Sequence, residues 1–133
     1  MADFKNFMPK GVIPATLLGF NEDYTIDEKA TRNHLKHVSK VRGISAITIN
    51  GHSSEIHACS KKEQQLLLDL ALDEVGDKIP LINGIWADGS LQAARMARQA
   101  EEAGASCLLI FPPQPIMMMQ GQLKPEMAIT HFK

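Results

Sequence analysis

The sequence predicts an α/β protein built on a parallel sheet, and two observations carry that expectation. Short apolar runs alternate four times with capped, amphipathic helical stretches, and strand starts recur about every thirty residues, the length of a strand–helix crossover unit. The apolar runs lack the in–out alternation of a half-exposed strand, as expected of strands covered on both faces. Such an order implies parallel strands joined by right-handed crossovers.

A first strand is expected over residues 11–18, where Val12, Ile13, Leu17 and Leu18 leave little polar surface. Thr25 and Glu28 have the spacing of a capping box, in which two side chains satisfy unpaired helix amides. The helix behind them sets Ala30, Leu35, Val38 and Val41 on roughly one face and ends before Gly43. Residues 44–49 form the second expected strand. Ser60 and Glu63 make another capping box ahead of a leucine-rich helix over 64–75, stopped by Gly76. The third strand is expected over 79–83, and Asp88 or Ser90 caps a third helix. Ala93, Ala97 and Ala100 let that helix approach a sheet closely, and Gly104 stops it. Residues 106–111 form the fourth strand, and Pro125 is suited to open a fourth helix, inside which the sequence ends at Lys133.

Composition narrows the class. The 133 residues are expected to form a single domain, 1–133, with no linker dividing it. Hydrophobic residues at 44% and charged residues at 22% suit a globular chain rather than a disordered one. A net charge of -1 leaves no electrostatic footprint for nucleic acid or an anionic membrane. No secretory signal pattern opens the sequence, and no apolar run approaches the roughly 18 residues that span a bilayer. Cys59 and Cys107 form no paired framework, which fits a reducing, cytoplasmic setting.

Between an open doubly wound sheet and a barrel, the first strand–helix turn decides. Leu18, Gly19, Phe20 and Asn21 hold no glycine-rich dinucleotide fingerprint, and no Walker pattern occurs elsewhere. The expected fold is therefore the first four βα units of a (β/α)8 TIM barrel, an N-terminal half-barrel ending within its fourth helix. Chemistry is expected in the loops that follow the strands.

The loop after the second strand is the strongest candidate. Gly51 permits close backbone approach, Ser53 and Ser54 bring hydroxyls, and successive amides can converge on an anion. A turn whose serines satisfy their own backbone explains the same residues, and spacing alone favours that plainer reading.

Pro14-Ala15-Thr16, Phe20 to Asp23, Gly51 to Glu55, Gly84 with Ala87 to Ser90, Gly104 to Ser106 and Phe111 to Pro113 occur in order. The ordered set resembles the dihydrodipicolinate synthase / N-acetylneuraminate lyase family of class I aldolases, over essentially all of this sequence and the first half of a family member. The resemblance implies a TIM-barrel lyase acting through a Schiff base between a strand-six lysine and a 2-oxo acid such as pyruvate or a sugar-derived acid. No cofactor is implied. Ser53 matches the second hydroxyl residue of the family's carboxylate-binding loop, with Gly51 and Ser54 beside it. Glu55 matches the glutamate, a structural anchor for the loop.

Two departures matter. His52 stands where the family has a hydroxyl residue used in proton relay, and an imidazole is suited to replace it near neutral pH. Pro113 and Gln114 stand where a tyrosine often reaches a neighbouring subunit. Lysine-biosynthetic synthase activity is therefore less expected than use of another oxo acid or aldehyde. Every lysine present falls on a helix, a cap or a terminus, where it would be solvated and protonated, so a Schiff-base lysine is absent and these residues alone are expected to be inactive. The alternative is a non-catalytic, self-associating half-barrel or a truncated fragment.

Lesser candidates read more plainly. His52, Glu55 and His57 lack metal-ligand spacing, so no metal is expected. His34 and His37 read as a solvated helix face. Cys59, beside the Ser60 cap, reads as a spectator thiol, although a helix N-terminus can lower a thiol pKa. Trp86 lines a pocket or simply packs, and Met117 to Met119 form an apolar loop against a neighbour or the barrel's own rim. With two open edge strands, a homo-oligomer is expected.

Overall fold

The computed structural model describes residues 4, 6–113 and 125–133. The helices are α1 (Glu28–Ser39), α2 (Lys61–Val75), α3 (Ser90–Ala103) and α4 (Pro125–Phe132), and the strands are β1 (Ile47–Ile49), β2 (Leu81–Ile85) and β3 (Cys107–Ile110). The strands form a parallel sheet in the order β1-β2-β3. Ile49 pairs with Asn83, and Ile85 pairs with Ile110. Met117 to Met119 and Gln114 lie outside the described residues.

The expected first strand is not a continuous strand. Residues 11–18 run parallel to β1 through two isolated bridges, Val12 to Ile44 and Ala15 to Thr48. Between those bridges the β1 side holds one residue more, so the ladder is bulged, and Pro14 has no N–H to contribute to it. After Ala15 and Thr16 the segment leaves the sheet for α1. The Leu17 amide donates to His34 Nε2 at 3.1 Å, and the Gly19 amide donates to Thr31 Oγ1 at 3.2 Å. His34 is thus partly buried and bonded, not a solvated face. Nor is the segment covered on both sides: Val12 is 64% and Leu17 59% exposed.

Two caps differ from expectation. Asp27 caps α1, its Oδ1 accepting from the Ala30 amide at 2.8 Å, while Thr25 is held by Asp23 instead. A carboxylate one residue before the helix meets the free amides better than a hydroxyl two residues further back. Gly89, which has no side chain to offer, is the cap residue of α3 in place of Asp88 or Ser90, and the Ser90 hydroxyl lies 3.1 Å from His131 Nδ1. The Ser60–Glu63 capping box forms as expected, although α2 begins at Lys61. Gly104 closes α3 in the left-handed region at φ 113°, where a side chain is strained.

The core lies between the sheet and its helices. Ile47, Ile49, Leu81 and Ile85 meet Leu35 from α1, Leu67 and Val75 from α2, and Ala93 and Ala100 from α3. On α1 the buried positions are Thr31 and Leu35, whereas Val41 is exposed. Small residues on α3 let it seat on the sheet, since burial of even a methyl contributes when packing is close. Charge joins the outer faces of α1 and α2: Arg32 pairs with Asp73 at 2.5 Å and Lys36 with Glu74 at 3.1 Å. His131 buries α4 against the end of the sheet, its Nε2 lying 3.3 Å from the Phe111 carbonyl.

Candidate active site at the strand ends

Because the strands are parallel, their C-terminal ends share one side of the sheet. Asn50 follows β1, Trp86 follows β2, and Phe111 follows β3, the last held by its amide donating to the Ile85 carbonyl at 3.0 Å. Asn50 takes a left-handed conformation at φ 51°, one that asparagine tolerates better than most residues. The chain then makes a single 3₁₀ turn, His52–Ser54, ended by Glu55 in the left-handed region at φ 53°.

Two sets of bonds fix this turn. On one side, Ser53 Oγ and Ser54 Oγ both donate to the Thr16 carbonyl, at 3.0 Å and 2.7 Å. Thr16 is itself held to the sheet through its amide and hydroxyl on the Thr48 carbonyl. On the other side, buried amide side chains form a network. Asn50 Nδ2 donates to Asn83 Oδ1 at 2.8 Å and to the Gln64 carbonyl at 2.9 Å. Gln64 Nε2 donates in turn to the carbonyls of Ile56 and Cys59. Buried amides hold geometry well only when fully bonded, and no buried side-chain polar atom is unpaired among the described residues.

Within the turn, the Ser54 amide donates to the Gly51 carbonyl and the Glu55 amide to the His52 carbonyl. The His52 and Ser53 amides take no hydrogen bond among the described residues. They are donors on a fixed backbone just after the C-terminal end of β1. Ser54 is buried and Ser53 exposed, so of the two hydroxyls only that of Ser53 lies at the surface. Glu55 is exposed and shares a groove of about 610 Å³ with Glu22, Cys59 and Glu63.

His52 is exposed, and its ring lies 4.5 Å from that of Phe111 and 5.6 Å from that of Trp86. His57 stands 6.3 Å from His52 and 6.2 Å from Trp86. Sequence reasoning did not bring these rings together. The only hint was that each follows a strand. Asn83 and Gln64 were also missed, since a polar residue inside a strand or helix gives no sign of its partner.

Two titratable groups near the loop are shifted. Burial, then the charges of Glu63 and Glu55, push the Cys59 thiol up, away from the reactive thiolate and in line with a spectator role. Burial lowers the Lys61 ammonium, opposed by Asp88, and its Nζ donates to the Trp86 carbonyl at 2.9 Å. Lys61 is exposed, and its ammonium is held at that carbonyl. No strand carries a lysine among the described residues. No group of three or more metal-ligating side chains is assembled, and no helix is long and apolar enough to cross a membrane, again among the described residues.

A family profile described as "Dihydrodipicolinate synthetase family" matches residues 8–125. The sequence is 28% identical over 106 residues to the 4-hydroxy-tetrahydrodipicolinate synthase of Bartonella quintana, covering 80% of this chain and 36% of that protein. It is 31% identical over 104 residues to the N-acetylneuraminate lyase of Haemophilus influenzae, covering 78% of this chain and 36% of that one. Among solved structures, the 4-hydroxy-tetrahydrodipicolinate synthase from Methylacidiphilum fumariolicum SolV superposes with a TM-score of 0.82 at 24% identity, over 94% of this chain and 39% of that chain. The N-acetylneuraminate lyase from Fusobacterium nucleatum gives 0.75 at 20% identity, over 97% of this chain and 41% of that one. This chain thus spans little more than a third of the length of the curated relatives it matches.

Proposed function

We infer, since this chain belongs to the dihydrodipicolinate synthetase family, that its 50–55 loop is the carboxylate-binding part of a lyase or aldolase site for pyruvate or a sugar-derived 2-oxo acid. The observation that carries this reading is the pair of open amides at His52 and Ser53 on a turn fixed at both ends. Preorganised donors bind an anion without first breaking their own bonds, and charge-assisted bonds are the strong ones. Gly51 and Ser54 shape the turn, Ser53 offers its amide while its hydroxyl braces the turn on Thr16, and Glu55 closes it through its left-handed backbone. In this reading the covalent step is a Schiff base on a strand lysine outside these 133 residues. The iminium draws electrons from the bond being broken, and His52, at the site's edge, carries the proton.

Titration of the ¹⁵N-labelled protein with pyruvate tests the loop. Saturable shifts concentrated at the amides of 51–54 are expected; shifts spread evenly over the surface, or none, would sink the assignment. For His52, the assay is a catalytically competent protein containing this segment and a strand lysine. An unchanged pH–rate profile on His52→Ala would remove it as proton carrier.

A second reading, a self-associating non-catalytic half-barrel, is favoured by the exposure of Val12 along one sheet edge and of Leu109 and Ile110 on β3 at the other. Unpaired edges offer backbone donors and acceptors to another chain. A two-fold pairing of edge with edge covers both. Sedimentation equilibrium at micromolar concentration is expected to show dimers or larger species; a cooperatively folded monomer would refute it.

A further inference from the structure

The rings of His52, Trp86, Phe111 and His57 take no part in the hydrogen bonds that hold the loop, and they form one connected surface at the strand ends. Ring centroids lie 4.5 Å apart for His52–Phe111, 5.8 Å for Trp86–Phe111 and 5.6 Å for His52–Trp86. The surface is built into the sheet. Phe111 Cε2 lies 3.2 Å from where a Cβ on Gly84 would stand, so the ring rests on the one β2 position without a side chain. His52 belongs both to this surface and to the turn with open amides, which places the two recognition elements side by side.

Resting on the reading of 50–55 as a carboxylate-binding loop, we propose that this aromatic wall selects a ligand whose carboxylate-bearing end is joined to a planar apolar group, an aryl-substituted acid or 2-oxo acid. The chemistry of the wall decides between ligand classes. A polyhydroxylated chain laid on it gives up many hydrogen bonds to water, and the rings return only those of two imidazoles and one indole N–H. An aryl group gains burial and edge-to-face contact against Trp86 and Phe111. Trp86 and Phe111 are half-buried and His52 and His57 exposed, so the wall is anchored in the fold and open on one side.

Calorimetric titration of the 133-residue protein with hydrocinnamate, propanoate and phenethyl alcohol separates the elements. Hydrocinnamate is expected to bind about tenfold or more tightly than propanoate, the gain of one buried, ring-contacting aryl group. Trp86→Leu and Phe111→Leu, each checked for an intact circular dichroism spectrum, should bring the two affinities together. Equal affinities in the unaltered protein, or a preference that survives both substitutions, would overturn the proposal. Propanoate binding without aryl preference sinks the wall and leaves the loop reading standing. Phenethyl alcohol matching hydrocinnamate keeps the wall and sinks the loop reading. Binding of none of the three overturns both.

Discussion

A Cβ on Gly84 would stand 1.8 Å from the carbonyl oxygen of Asn50, so β2 and the residue that starts the loop are in direct backbone contact. The contact is possible only with hydrogen at that position. It brings the Asn50 side chain within reach of Asn83, the residue before Gly84, at 2.8 Å.

Gly84→Ala is expected to destabilise the protein by about 3 kcal/mol or more, the upper range for overpacking, because the collision is with backbone rather than a movable side chain. Urea denaturation measures it. A midpoint within error of the unaltered protein would show that the strand yields without cost.

Ser54→Ala removes a buried donor to the Thr16 carbonyl and should cost about 1 kcal/mol. Ser53→Ala should cost less, since its side chain reaches solvent. The double substitution is expected to exceed the sum, because each hydroxyl otherwise satisfies the same buried carbonyl. Simple additivity would mean that Thr16 finds another donor.

Incubation with pyruvate and borohydride should leave every lysine of this chain unmodified at a stoichiometric level. Lys61 is the informative position, since burial lowers it, yet its Nζ is engaged by the Trp86 carbonyl. Peptide mass spectrometry showing a full equivalent of adduct at one lysine would overturn the expectation and identify a nucleophile within these residues.

Glu74 is held below the usual carboxylate range by the Lys36 ammonium and by Arg32, against an opposing desolvation. A carboxylate with a depressed folded pKa contributes stability above its unfolded pKa and loses it as pH falls through the folded one. Thermal melts should therefore fall in the acid range below the ordinary glutamate pKa, and the fall should be shallower in Glu74→Gln. Parallel pH profiles for both proteins would show that the α1–α2 ion pairs contribute nothing.

Periodicity and local chemistry made much of this fold legible. Ser60 with Glu63, Gly104 and Pro125 mark helix ends by interactions within a few residues, and all three act where expected. The family was legible for a related reason: ordered short motifs along one chain need no knowledge of what they touch. Edge behaviour was not legible, because Val12 and Leu17 read as buried strand residues whichever side of a sheet they occupy. Asp27 displaced Thr25 as a cap because the helix starts two residues later than the Thr25–Glu28 spacing implies, a choice made only when the helix starts in space.

What the sequence determined by itself is the order of elements, the parallel sheet and the family of the loop, since each is written in near-neighbour spacing. Only the tertiary structure decided that Gly84 seats both Asn50 and Phe111, and that His52, Trp86 and Phe111 meet. Those residues lie on separate crossover units, and their encounter depends on strand register and close packing. Neither is encoded by any single stretch of chain.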